Sequence, residues 1–305
     1  MIWVALTIVA ALAAGLEAHR RAPARAPGLA RRLLKLMLFG FTPFVTFVNV
    51  AHLELTADVG GGVLAGWIAL ALAGAAGWAI GRFLLHLPAP SNGVLTNVAL
   101  QSNTGYLGLP LCVAVLGASH LPEAVAYDSF VQQPVFLLGV FGVGAAMGTR
   151  AGATARERTR AFVSRNPPLL ASLAGLAAPA TLAPHALVLT SRGLVFAMLP
   201  LGFFAVGVTL AAENGDVRRF PPPLTRAIAT ALALRLVLAP LLLLAIAAPF
   251  IDLPASYALL AAMPAGLNGL TVAHVYGLDL RLAAGAIAWS TLVAIGVGLV
   301  VTAVV

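Results

Sequence analysis

Two polar stretches interrupt an otherwise apolar chain, and their residue types suit the seating of a solute better than bond-making chemistry. The first reads NVALQSNTGYLGLP over 97–110, with Asn103, Thr104, Gly105, Gly108 and Pro110. The second reads AAMPAGLNGLT over 261–271, with Pro264, Gly266, Asn268, Gly269 and Thr271. Proline removes a backbone donor and obstructs the turn before it, while glycine leaves helical geometry at little cost. Both stretches are predicted to break a helix, at Gly108 and Pro110 in the first and at Pro264 and Gly266 in the second. Backbone groups freed at membrane depth are tolerated only where protein or a watery cavity surrounds them. The resulting helix ends carry partial charges. With Asn103, Thr104, Gly105, Asn268 and Gly269 they would face a bound solute. One such interruption is more often a kink or a packing contact; two at matching positions, each with Asn and Thr, favour a binding site.

Further polar residues stand inside apolar segments. Arg235 lies between AIATALAL and LVLAPLLLL, where an arginine costs roughly 2.5–3.5 kcal/mol to insert. Its planar fork suits a carboxylate held through two bonds, which makes it a candidate solute contact. A structural partnership with a carboxylate or carbonyls, or reach to the membrane surface, are the alternatives. Asp128, followed by Gln132 and Gln133, offers a group that gains or loses a proton as its surroundings change. These three and Thr271 are the candidates for ion coupling; a buried salt bridge or a charge at the rim are the other readings of Asp128. His274, near the end of its segment, reads as solvated.

Other chemistries lack their residues. There is one cysteine, Cys112, no HExxH, and no His, Cys and Asp cluster with ligand spacing, so neither a metal nor a cofactor is expected. No GxxxxGK[ST] motif is present to cradle nucleotide phosphates, and no nucleophile has an evident base. The chain does not read as an enzyme. A net charge of +8 invites nucleic acid, but the basic residues flank apolar spans and have no interleaved aromatics for stacking. Anionic lipid headgroups are the expected partners of that charge.

The elements that hold these residues follow from composition. Hydrophobic residues make up 61% and charged residues 9% of 305, against about one quarter charged in soluble domains. Ten apolar segments have lengths near the roughly 20 residues that cross a bilayer as helix: 2–17, 33–53, 59–80, 92–117, 123–147, 166–184, 190–211, 223–247, 254–275 and 282–304. Of the Lys and Arg residues, all but Arg192 and Arg235 lie in or beside alternate gaps, including Arg218 and Arg219 in the seventh; the other gaps hold Glu54, Asp58, Glu123 and Asp252. This bias puts the odd gaps in the cytoplasm and both termini outside. Residues 2–17 read as a first spanning helix and not as a leader, since no charged region precedes them. Ten spans divide into halves of five, and an odd number inverts the second half. The fold class is thus an all-α polytopic membrane protein: two inverted five-helix repeats, 1–150 and 166–305, joined by a cytoplasmic connector at 151–165, with helices 4 and 9 broken and crossing. Inverted repeats with paired breaks mark transporters.

On the stretches SNTGYLGLP (102–110) and MPAGLNGLTVAHVYG (263–277), and on its ten spans, the chain resembles the auxin efflux carrier family over its whole length. The resemblance implies a secondary transporter of a small organic anion, a carboxylate or dicarboxylate, working by alternating access. It implies that the proline breaks cross, that Asn103 and Asn268 with nearby backbone dipoles bind the carboxylate, and that a scaffold carries a moving crossover unit. It also suggests a homodimer. Plant members carry a long loop between the halves where this chain has only 148–165, which points to a bacterial member in the inner membrane. Proton or sodium gradients remain as drivers, and an ion or solute channel is the alternative class.

Overall fold

The computed structural model describes residues 2–51, 60–150, 152–214 and 222–304. Glu54, Asp58, Arg218 and Arg219 lie outside the described residues. Among those described, the chain is helical apart from one isolated β-bridge. In chain order the helices are α1 (Ile2–Arg21), α2 (26–51), α3 (60–84), α4 (Ala89–Leu100), α5 (104–116), α6 (121–147), α7 (Ala155–Ser164), α8 (Pro167–Ala177), α9 (His185–Asn214), α10 (226–247), α11 (Ala255–Ala261), α12 (Asn268–Tyr276) and α13 (Leu280–Val304).

Four of these hold stretches long and apolar enough to cross a membrane: Gly61–Leu84, Glu123–Met147, Arg226–Ala247 and Leu280–Gly298. Their outward faces carry large apolar side chains at helical spacing. Leu64, Ile68 and Leu72 are exposed on α3, as are Val237, Leu241 and Leu244 on α10. Apolar stripes facing outward are what a lipid solvent selects. The protein is thus an all-α polytopic membrane protein. The segment 166–184 is shorter as a helix than its apolar length: α8 stops at Ala177, two residues before Pro179.

Prolines leave a repeated mark on the long helices. Wide turns at 37–41, 104–108, 128–132 and 233–238 each end two residues before a proline, namely Pro43, Pro110, Pro134 and Pro240. A proline ring crowds the carbonyl four residues back, and the preceding turn relieves this by closing one residue later, as in π-bulges. Gly108 N–H accordingly donates to the Asn103 carbonyl at 3.0 Å, five residues away. These prolines widen helices that continue; they do not end them.

Packing pairs elements from the two halves of the sequence. α1 lies along α9, and α8 lies along the end of α2; α4 meets α13, while α12 and α11 meet α6. The α1–α9 crossing is close because Gly15 and Gly207 face one another. A β-carbon on Gly15 would lie 2.9 Å from Val208 N, and one on Gly207 3.1 Å from Leu16 N. Small residues at such crossings let backbones approach where no hydrophobic force drives association.

The connector is ordered by its own chemistry. Thr154 and Glu157 form a capping box at the start of α7: Glu157 N–H donates to Thr154 Oγ1, and the Glu157 carboxylate accepts from Thr154 N–H and Ala153 N–H. Those donors, the Thr154 N–H foremost, hold the Glu157 carboxyl below its ordinary value of 4.5. Asn166 then caps α8 and donates to the Leu137 carbonyl of α6 at 2.8 Å.

Candidate functional site

Both sequence interruptions are breaks in helices, and they are joined. α4 ends at Leu100 and α5 starts at Thr104; α11 ends at Ala261 and α12 starts at Asn268. The intervening strands pair antiparallel at Ser102 and Ala265. Asn103 N–H donates to the Pro264 carbonyl at 2.7 Å, and Gly266 N–H to the Gln101 carbonyl at 3.1 Å. The remaining donors of the bridge are met by side chains. Ser102 N–H reaches Gln132 Oε1 at 3.2 Å, and Ala265 N–H reaches Ser290 Oγ at 3.1 Å. Most backbone polar groups freed by the two breaks thereby find partners inside the protein, as the apolar surroundings demand.

The first break sits ahead of two residues expected to form it. Gly108 and Pro110 lie within α5, beyond the interruption at 101–103, and Pro110 acts by widening the turn that follows. Pro264 and Gly266 lie in the second break itself, both buried.

Arg235 is fully buried in α10 and donates to both half-helices. Its Nη1 reaches the Ala99 carbonyl at 3.1 Å, and its Nη2 the Ala261 carbonyl at 2.5 Å. These carbonyls belong to the last turns of α4 and α11, where the helix dipole is negative. One guanidinium therefore caps two helix C-terminal ends, with its Nε lacking a protein partner. Of the readings open from sequence, the arginine adopts the partnership with carbonyls; the planar fork that suits a carboxylate suits two carbonyls equally.

The N-terminal ends at the crossing differ from each other. At α5, Thr104 Oγ1 donates to Asp128 Oδ1. Gly105 faces it: a β-carbon there would stand 3.8 Å from both carboxylate oxygens. Among the described residues no cation pairs with Asp128. At α12, no side chain caps the helix. The Tyr106 hydroxyl donates to Met198 Sδ of α9 at 3.6 Å. Gly269 faces Gln101, with space for a β-carbon 3.7 Å from Oε1.

Several buried polar atoms around the bridge have no protein partner: both amide atoms of Asn103 and of Asn97, Gln101 Oε1, Ser102 Oγ, Gln132 Nε2 and Thr271 Oγ1. Buried polar groups are ordinarily satisfied, by water where protein does not reach them. A small crevice opens beside the bridge, with Asn97, Gln101, Gly266 and Gly269 in its lining. Asn103, Thr104, Gly105, Asn268, Gly269, Asp128, Gln132, Gln133 and Thr271 thus gather around one crossing. Gln101, Ser102 and Ser290 join them unanticipated; the first two adjoin Asn103 in sequence, and Ser290 is a polar residue in an apolar helix.

At its other end α12 is held by the connector. Arg150 donates from Nη1 to the His274 carbonyl at 2.9 Å and from its backbone to the Tyr276 carbonyl at 2.9 Å. Tyr276 donates to the Ala161 carbonyl at 3.1 Å, and the Arg165 guanidinium lies 5.8 Å over its ring. Gly277 closes the helix at φ +73°, a conformation open to glycine, and a side chain there would strike Arg150 Cγ at 2.9 Å. The His274 side chain is buried at this end and not solvated.

Two broken helices thus meet inside an apolar bundle, with polar groups at their junction. Residues 161–302 match the family Mem_trans, described as Membrane transport protein. The matched stretch runs from the end of α7 through most of α13 and includes Arg235 and the second break. At the level of class the chain is a membrane transport protein. Comparison with curated proteins gave no match.

Proposed function

We propose that the protein is a secondary carrier of a small organic anion, a carboxylate or dicarboxylate, that alternates access by moving the crossing helices against the rest of the bundle. The observation that carries this reading is the division of helix ends at the crossing. Arg235 occupies both C-terminal, negative ends, so the dipoles left to meet a solute are the N-terminal, positive ones. Unpartnered Asn103 and the Asn268 amide stand beside them as donors. Asp128, with Gln132 and Gln133 following it on α6, is the group through which a proton or sodium gradient would act, and Thr271 of α12 is the further candidate.

Ten spans in two inverted halves, 1–150 and 166–305, support the mechanism. In favour is the exchange of partners between halves: the first helix of each packs on the second of the other, and the fourth on the fifth. A two-fold axis in the membrane plane produces that pattern. The charge distribution supports cytoplasmic placement of the odd loops, with both termini outside a bacterial inner membrane and anionic lipids around the basic loops. A homodimer completes the proposal.

The test is uptake into sealed proteoliposomes. Labelled malonate or acetate is expected to accumulate under an imposed proton or sodium gradient and to stop when the gradient is collapsed. Failure of every mono- and dicarboxylate tried to bind or cross would overturn the carrier reading. Unitary currents across a planar bilayer would replace it with a channel.

A further inference from the structure

The connector divides its arginines between two faces. At 3.6 residues per turn, Arg158 and Ala161 of α7 share one side, followed by Arg165 just past the helix end, while Arg156, Arg160 and Val163 share the opposite side. The first face is engaged throughout. Arg158 Nη1 donates to the Ala146 carbonyl in the last turn of α6 at 2.8 Å, and its Nε to the Gly152 carbonyl at 3.2 Å. Arg165 Nη1 donates to the Arg150 carbonyl at 2.6 Å, with its guanidinium over Tyr276. The second face is free. Arg156, Arg160 and Val163 are exposed, and among the described residues neither arginine has an acidic partner. Glu157, the acid next to Arg156, commits its carboxylate to the capping box instead.

The depth of α7 follows from what its inner face touches. Ala161 joins one apolar cluster with Phe141 and Ala145 of α6 and Tyr276 of α12, and Phe162 packs against it. Phe141 and Ala145 lie within Glu123–Met147, a stretch long and apolar enough to cross a membrane. α7 therefore packs on the flank of the last turns of α6 and not beyond them. Within the first two turns of α8, Leu170 and Leu173 point outward and are about half exposed. Leucines so placed are covered by acyl chains, which puts the outer face of α7 at the level of the headgroups. Two guanidiniums beside an exposed valine fit that layer. The planar fork grips a phosphate through two N–H groups, and the valine adds apolar contact beneath.

We propose that Arg156 and Arg160 dock the connector on the headgroups of anionic phospholipids, and that this docking holds the neighbouring end of the crossing helix α12. The link runs through the inner face. Tyr276 donates to the Ala161 carbonyl, and Arg150 binds the His274 and Tyr276 carbonyls, so a shift of α12 pulls on α7. Docking itself needs only a charged membrane; what a held α12 means for transport rests on the carrier reading.

The test is hydrogen exchange of the full chain in nanodiscs of phosphatidylcholine alone and of equal parts phosphatidylcholine and phosphatidylglycerol. Both leaflets of a disc are alike and no solute is added, so the outcome depends neither on orientation nor on transport. Each basic residue at an anionic surface favours binding about fivefold. Protection of residues 155–164 and 272–277 is expected to rise at least fivefold with phosphatidylglycerol. In the double variant Arg156→Gln with Arg160→Gln the rise should drop below twofold, and in Arg156→Lys with Arg160→Lys most of it should return. Neither arginine holds a contact within the fold, so all three chains should unfold thermally alike in phosphatidylcholine.

Equal protection of the unaltered chain in the two discs, or a rise that survives in the glutamine variant, would overturn the docking. A rise confined to 155–164 would overturn the hold on α12. The same rise in phosphatidylcholine discs given inorganic phosphate would overturn the membrane as the partner and put a free anion in its place. None of these outcomes bears on the uptake of carboxylates, so the carrier reading stands or falls separately.

Discussion

Arg235 decides how the crossing is held, and its replacement by methionine tests that role quantitatively. The side chain is fully buried and its two bonds, at 3.1 and 2.5 Å, run to carbonyls of α4 and α11. Hydrogen bonds to a charged group contribute about 1.5–3 kcal/mol each, so losing both removes about 3–6 kcal/mol. Methionine fills a similar volume without a buried guanidinium, and this returns roughly 2.5–3.5 kcal/mol on insertion scales. The net expectation for Arg235→Met is a destabilisation on the order of 1–3 kcal/mol, from two carbonyls left without donors. Arg235→Lys keeps the charge but lacks the fork that reaches both carbonyls, and should fall between. Denaturant unfolding in detergent, followed by circular dichroism, measures both. A methionine variant as stable as the unaltered protein would refute the double cap. A lysine variant of full stability that reorders the affinities of organic anions would turn Arg235 toward the solute instead.

Four further outcomes follow from the geometry. Gly207→Ala sets a β-carbon against the Leu12 carbonyl and 3.1 Å from Leu16 N, backbone that cannot step aside. Thermal unfolding should show a loss of about 1–3 kcal/mol, and no loss would discount the α1–α9 crossing. Asn103→Ala removes an amide with no protein partner, so the fold should survive while carboxylate affinity drops from two- to about tenfold, one hydrogen bond's worth; unchanged affinity in titration would remove Asn103 from the site. Asp128→Asn keeps an acceptor for Thr104 but no titratable group, and uptake driven by a pH gradient should disappear while exchange of bound solute persists; proton-driven uptake at the normal rate would exclude Asp128 as the coupling group. Glu157, held below its ordinary 4.5, stabilises α7 above that value and loses the effect as pH falls through its lowered value. The protection factor for hydrogen exchange across 152–165 should therefore fall as pH drops below 4.5, and a flat profile would deny the capping box its role.

What the sequence disclosed and what it withheld divide along physical lines. Apolar length and the clustered Gly, Pro and Asn content of two segments were enough to locate both broken helices. The exact point of the first break was not legible. Pro110 looks like the stronger breaker, yet a proline well inside a membrane helix is absorbed by one wide turn, whereas Gln101, Ser102 and Asn103 give up helical bonds for a bridge to Pro264 and Gly266. That bridge joins residues more than a hundred positions apart, and no local pattern announces it. Arg235 was visible as an expensive residue that needs partners. Its partners are main-chain carbonyls, which carry no sequence signature. For the same reason His274 misled: its depth is set by the Arg150 and Tyr276 contacts of the connector, not by its distance from the segment end.

The charges at the crossing explain why a single Arg and a single Asp suffice. Four helix ends converge there, two negative and two positive, and a symmetric pair of halves would leave all four alike. Arg235 is placed on both negative ends, and Asp128 on one positive end, so the pair balances without touching. Neither has an oppositely charged side chain beside it among the described residues. In the proposed carrier, a proton on Asp128 removes the one fixed negative charge and leaves the crossing with a net positive charge. In a medium of low dielectric such an imbalance attracts a counter-charge far more strongly than it would in water, and the proposed anion supplies it. Proton and anion then favour each other's binding without sharing a ligand, and the link between them is the rigid bridge that Ser102 and Ala265 hold in place.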